Sequence, residues 1–128
     1  MPIDVTLEDD GGLIITATGN FTGEEMIAAA ESLRQQGVTP SDVAYELVDM
    51  RDSTPIDHSE IVAQQLTAYV YEFIKINDKL IIAIVANDDL SYGLSRMWKA
   101  RDQENDHRVM VCRDLAEARA WIASRLND

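Results

Sequence analysis

The sequence predicts a small layered α/β domain: a mostly parallel five-stranded sheet, an antiparallel amino-terminal hairpin and four helices. Two observations carry this. Segments of alternating apolar residues are interleaved with segments of helical periodicity along the chain, and strands separated by helices pair in parallel through right-handed crossovers. The run Leu80 to Ala86 is apolar without alternation, which marks a strand covered on both faces and therefore central. No linker, repeat or low-complexity stretch divides residues 1–128, so one domain is expected.

The elements follow in order. Ile3, Val5 and Leu7, then Leu13, Ile15 and Ala17, alternate around Asp9-Asp10-Gly11-Gly12, a hairpin turn in which glycine supplies positive φ. Thr22 and Glu25 have capping-box spacing, and Met26, Ala30 and Leu33 continue a helix that Gly37 stops. After Thr39-Pro40-Ser41, Val43 to Val48 reads as a third strand running into a polar loop from Asp49 to Asp57. From Ser59 to about Ile76, a stripe of Val62, Leu66, Tyr69, Val70 and Phe73 predicts a helix laid on the sheet. A third helix is expected from Asp89 or Ser91 through Trp98, a short strand over Arg108 to Cys112, and a closing helix carrying Leu115, Ala118, Ile122 and Leu126.

The formal net charge is −12, and the deficit lies in residues 1–64, which hold 13 acidic and two basic residues. Such a field repels phosphate backbones, which argues against nucleic acid and anionic membrane surfaces as partners. Seven of the eleven basic residues fall between Arg96 and Arg125, interleaved with acids, the pattern of solvated helix faces. No apolar run approaches the roughly 20 residues that span a bilayer. The start, Met1-Pro2-Ile3-Asp4, does not read as a signal peptide, and the lone Cys112 fits a reducing compartment, so a cytoplasmic location is expected.

The element order, together with two local strings, resembles the STAS domain (sulfate transporter and anti-sigma-factor antagonist) and within it the SpoIIAA-like group of small bacterial proteins, related in fold to Sec14-type lipid-binding domains. Ser91-Tyr92-Gly93-Leu94-Ser95-Arg96-Met97-Trp98 and Asp114-Leu115-Ala116-Glu117-Ala118-Arg119-Ala120-Trp121 resemble the third helix and the terminal Ala-Trp motif of that group. The stretch from Val48-Asp49 to Asp57-His58-Ser59-Glu60-Ile61 matches in length the loop that, in antagonists, leads to a phosphorylated serine. Gapless matching puts His58 at the acceptor position. Ser59 follows one place later as the phosphorylation candidate, and Glu60 replaces the glycine that lets a partner backbone approach.

Asp57, His58 and Ser59 precede a helix whose free N–H groups suit an anion or partner carboxylate, or are capped by Ser59 or Asp57 themselves. Asp49 and Asp52 after the third strand, with Asp88 and Asp89 after the fourth, are expected at the carboxyl edge of neighbouring strands, the ligand crevice of such sheets. Clustered carboxylates there suit Mg²⁺, but no lysine follows the fifth strand and the aspartates equally suit helix caps, so no metal or other cofactor is expected. Tyr92, Met97, Trp98 and Trp121 read either as core or as the lining of an apolar site. Cys112 reads as a buried small hydrophobe and His107 as an exposed turn residue.

The expected function is a non-enzymatic STAS-like binding or regulatory module for a protein partner or a small apolar, lipid-like ligand, with Asp49, Asp57, His58, Ser59, Tyr92 and Trp98 as contact candidates. A phosphorylation-controlled anti-sigma-factor antagonist and a carboxylate- and Mg²⁺-dependent enzyme are the alternatives. A homodimer is also expected, because Gln64, Thr67, Ala68 and Tyr71 give the second helix a weakly charged outer side. Sedimentation at physiological salt is expected to show a dimer that Ala68→Glu dissociates without unfolding; a monomer, or a dimer indifferent to this change, overturns that interface.

Overall fold

The computed structural model describes residues 3–55, 75–100 and 107–127. Five strands form one sheet in which neighbours in space follow the order of the chain, β1 to β5. β1 (Ile3–Leu7) and β2 (Gly12–Phe21) form the antiparallel hairpin, whereas β3 (Tyr45–Pro55), β4 (Ile81–Val85) and β5 (Val109–Cys112) continue from β2 in parallel. Three helices lie among the described residues: α1 (Gly23–Gln35), α2 (Asp89–Ala100) and α3 (Leu115–Leu126). The helix expected over 59–76, with Val62, Leu66, Ala68 and Tyr71, lies outside the described residues except for Lys75 and Ile76, which are helical.

The hairpin turn closes where the sequence places it. The Glu8 N–H donates to the Gly12 carbonyl at 2.7 Å, and Gly11 has a φ of +88°, a conformation open to glycine at little cost. Gly12 is required for space, since a Cβ there would run into the ring of Tyr45. Tyr45 is 1% exposed, and its hydroxyl donates to Asp10 Oδ2 at 2.8 Å while Arg119 Nη1 of α3 donates back to it at 3.3 Å. Burial and the Asp10 carboxylate push the Tyr45 hydroxyl up to about 12, which keeps it a donor. One side chain thus joins the turn, the middle strand and the last helix.

Helix α1 starts as its capping box requires: Thr22 Oγ1 accepts the Glu25 N–H and Glu25 Oε1 accepts the Thr22 N–H, both at 3.1 Å. It ends at Gln35, with the Val38 N–H closing on the Leu33 carbonyl. Asp114 caps α3 through the Ala116 N–H at 2.8 Å. Every residue of β4 is buried, as its unalternating sequence predicts. Its even positions, Ile82 and Ile84, face a core shared with Leu33 of α1 and Tyr92 of α2, and its odd positions face Ala118 and Ile122 of α3.

The third strand departs from expectation. The polar segment from Asp49 is strand, not loop, as far as Pro55. β4 ends at Val85, opposite Asp49, so beyond that point β3 pairs with β2 alone and polar side chains gain access to water. A register shift between Thr16 and Thr18 lets the pairing resume as Thr18 with Asp52 through Phe21 with Pro55. Met50 and Ser53 remain buried while Arg51 and Asp52 are exposed. A half-solvated ribbon therefore continues a fully buried strand.

At the opposite end of the sheet a buried cation ties three strands. Arg108 is 8% exposed, and its guanidinium donates to the carbonyls of Leu80 at 2.8 Å and Asn77 at 2.7 Å. Asn77 in turn donates to the carbonyls of Pro40 and Val43, so the entries to β3, β4 and β5 share one network. A charged donor at a buried carbonyl contributes about 1.5–3 kcal/mol, and its removal leaves carbonyls unpaired. Arg108→Ala is expected to lower stability in urea unfolding by about 3 kcal/mol, and Arg108→Lys to restore only part of it because an ammonium lacks the guanidinium fork.

Glu46 sits on the α1 face of β3 between Leu13 and Ile82. It is half-buried and has no hydrogen-bond or ion-pair partner among the described residues. Burial alone pushes its carboxyl from the usual 4.5 to about 7. The folded state then holds a proton that the unfolded chain releases, so this group costs stability progressively as pH rises from about 4.5 to 7, up to roughly 3 kcal/mol above that window. Glu46→Gln is expected to leave stability at pH 4.5 nearly unchanged and raise it at pH 8; equal effects at both pH values overturn this reading.

Candidate functional site

The carboxyl ends of the parallel strands form a rim. Thr16, Asp49, Val85 and Cys112 pair across β2 to β5 and mark the last row in which all four strands are joined. Beyond this row emerge Asn87 and Asp88 after β4, Arg113 and Asp114 after β5, and the first turns of α2. Asp49 stands in this last joined row, and the Tyr92 ring lies against Arg113, which follows β5.

The chemistry of the rim differs from an open carboxylate cluster. Arg51 grips Asp49 with two donors, Nε to Oδ1 and Nη2 to Oδ2, both at 2.9 Å. This fork, with the Arg51 N–H at 3.1 Å, holds the Asp49 carboxyl below the usual carboxylate range although partial burial opposes it. Asp89 turns instead to Arg113 Nη2 at 2.9 Å. That pair is exposed, with the Asp89 side chain 95% accessible, so it contributes little by itself. Arg113 is positioned mainly by two other contacts: Nη1 donates to the Asn87 carbonyl at 3.1 Å, and the guanidinium lies 4.2 Å from the centroid of the Tyr92 ring. Arg96 approaches the same ring, its Nη1 donating to the Tyr92 hydroxyl at 3.4 Å.

Two aspartates of the expected cluster thus meet arginines, and no group of three or more His, Cys, Asp or Glu side chains suited to a metal converges among the described residues. Sequence reading missed the cause because Arg51 is two residues from Asp49 within a segment read as loop, whereas in a strand i and i+2 share a face. Asp57, His58 and the phosphorylation candidate Ser59 lie outside the described residues, as does the side chain of Trp98. Cys112 is 4% exposed, its Sγ donates to the Asp114 carbonyl at 3.4 Å, and burial pushes its thiol up, which agrees with a core role. His107 is exposed, as its turn sequence suggests.

A concavity that sequence reading did not find lies at the open edge of β5. It has a volume of about 270 Å³ and is floored by Val109, Met110, Val111 and Trp121. Arg96 and Lys99 of α2, His107 before β5 and Arg125 of α3 surround it. These residues are spread over some thirty positions of sequence, and only the packing of α2 and α3 against opposite faces of β5 brings them together. No helix among the described residues is long and apolar enough to cross a membrane.

No protein-family model matches the sequence, and neither does any curated protein. Among solved structures, the chain is similar to an uncharacterized protein of the DUF3478 family from Shewanella loihica PV-4, described as having a SpoIIAA-like fold. The identity is 20% and the TM-score 0.50, over 94% of this chain and 91% of that one. At this identity the likeness concerns fold alone. Taken with the mixed five-stranded sheet and the helices on both faces, it gives the chain a SpoIIAA-like α/β fold.

Proposed function

We propose that this chain is a non-enzymatic STAS-like binding or regulatory module, and that the strand-end rim is its contact surface for a protein partner. The observation that carries this reading is the pairing of Asp49 with Arg51. The Asp49 carboxylate accepts three donors from Arg51, which fill most of its roughly four lone-pair sites and hold it ionised, and this makes it a weaker general base and a hindered metal ligand. The rim instead offers preset hydrogen-bonding groups and the Arg113–Tyr92 stack, features that suit recognition: aromatic and arginine side chains supply most of the energy of protein contacts.

The apolar-ligand reading rests on the resemblance to Sec14-type domains and on Trp121, a candidate lining residue that borders the cleft beside β5. The antagonist reading rests on Ser59, which stands beside Asp57 and Glu60, where added phosphate would meet like charge. Calorimetric titration with Mg²⁺ alone distinguishes the module from a carboxylate-dependent enzyme. No saturable binding at micromolar Mg²⁺ is expected; micromolar binding that Asp49→Asn or Asp88→Asn abolishes overturns the non-enzymatic reading.

A further inference from the structure

We propose that the cleft at the open edge of β5 is a binding site for a small organic anion, a carboxylate or phosphate group carried on an apolar body of about one or two rings. The site adjoins the partner surface proposed above through the Arg96–Tyr92 contact but does not depend on that reading. Three lines of observation lead here.

The first is charge. The chain carries a formal net charge of −12, yet the described residues lining this cleft include Arg96, Lys99, Arg125 and His107 and no acid. A concave surface bearing one sign of charge between low-dielectric walls concentrates its field, so the local preference for anions opposes the global repulsion. Lys99 is partly buried and lines the cleft beside Arg96.

The second is preorganisation. Arg125 Nη2 donates to the His107 carbonyl at 2.8 Å and its guanidinium lies 5.3 Å from the centroid of the Trp121 ring. Arg96 is steadied by the Tyr92 hydroxyl. Held guanidiniums lose less freedom on binding than free ones, and their planar forks match carboxylate and phosphate oxygens.

The third is the floor. Cations beside an exposed edge strand also serve to discourage strand addition by other chains. That role needs only charge. It does not need a concavity floored by Val109, Val111, Met110 and Trp121, which gives a planar apolar body a surface to cover. A volume of about 270 Å³ lies just below the range of drug-sized pockets and is too small for a diacyl lipid or a dinucleotide.

The test uses the full chain with 2-naphthoate as probe, its neutral isostere 2-naphthamide and inorganic phosphate. Affinity is read by calorimetry and location by the Trp121 indole N–H resonance, assigned with Trp98→Phe. The proposal expects 2-naphthoate to saturate below millimolar concentration and move the Trp121 resonance, with the amide and phosphate each at least tenfold weaker. It expects Arg96→Met combined with Lys99→Met to weaken 2-naphthoate at least tenfold. Arg96 is exposed and Lys99 only partly buried, and a native-like amide spectrum verifies folding; Lys99→Met alone is the fallback and is expected to weaken binding at least threefold. Equal binding of acid and amide, unchanged affinity in the folded variants, phosphate as tight as 2-naphthoate, or an unmoved Trp121 resonance each overturns the proposal. So does an Asp- and Glu-rich peptide that binds at β5 while 2-naphthoate does not, which would reassign the edge to strand addition.

Discussion

Burial of β4 on both faces is the constraint from which the rest of the architecture follows. Five consecutive apolar residues, Ile81 to Val85, leave no side of this strand that water can cover, so helices must close over both faces. α1 and Tyr92 of α2 meet one face, and Ala118 and Ile122 of α3 meet the other. With both faces committed to packing, hydrogen-bonding groups and charges are left to the ends and edges of the sheet. The three polar assemblies described above occupy these places: the Arg108 network at the strand entries, the arginine-paired rim at the strand exits, and the cationic cleft beside β5.

The unequal lengths of β3 and β4 shape the rim. β3 runs on to Pro55 after β4 has ended opposite Asp49, so a ribbon formed with β2 alone extends past the fully paired sheet. Side chains on that ribbon experience a mixed environment. Asp49, at the junction, is buried enough to need a partner and exposed enough for Arg51 to reach it without the large desolvation cost of an interior ion pair. Strand geometry settles the pairing, since residues two apart lie on one face and the fork closes with both distances at 2.9 Å.

Legibility in the sequence followed the range of the interactions. The Asp9 to Gly12 turn, the Thr22–Glu25 capping box and the apolar run of β4 depend on residues within a few positions of each other, and all appear where their spacing puts them. The strand character of Asp49 to Pro55 was hidden because polar composition reads as loop unless the reach of the partner strand is known. Arg108 gave no local sign either: a lone arginine before a short strand looks solvated until Asn77 and Leu80 are brought beside it from some thirty positions away. The cleft required the same long-range information. Its cations belong to a stretch that, by charge interleaving alone, reads as ordinary helix surface.

That stretch holds most of the basic residues, and the fold divides them among distinct tasks. Arg108 is buried among carbonyls, Arg113 is placed by the Asn87 carbonyl and the Tyr92 ring, and Arg119 joins Glu8 and the Tyr45 hydroxyl at 3.3 Å each. Each of these three cations is absorbed by groups that the fold itself supplies. Arg96 and Arg125 differ because the groups that steady them among the described residues are neutral, a phenol for Arg96 and a carbonyl and an indole ring for Arg125. Both guanidiniums and Lys99 line the cleft beside β5, so the charged side chains that line it among the described residues are basic although the chain carries a formal net charge of −12.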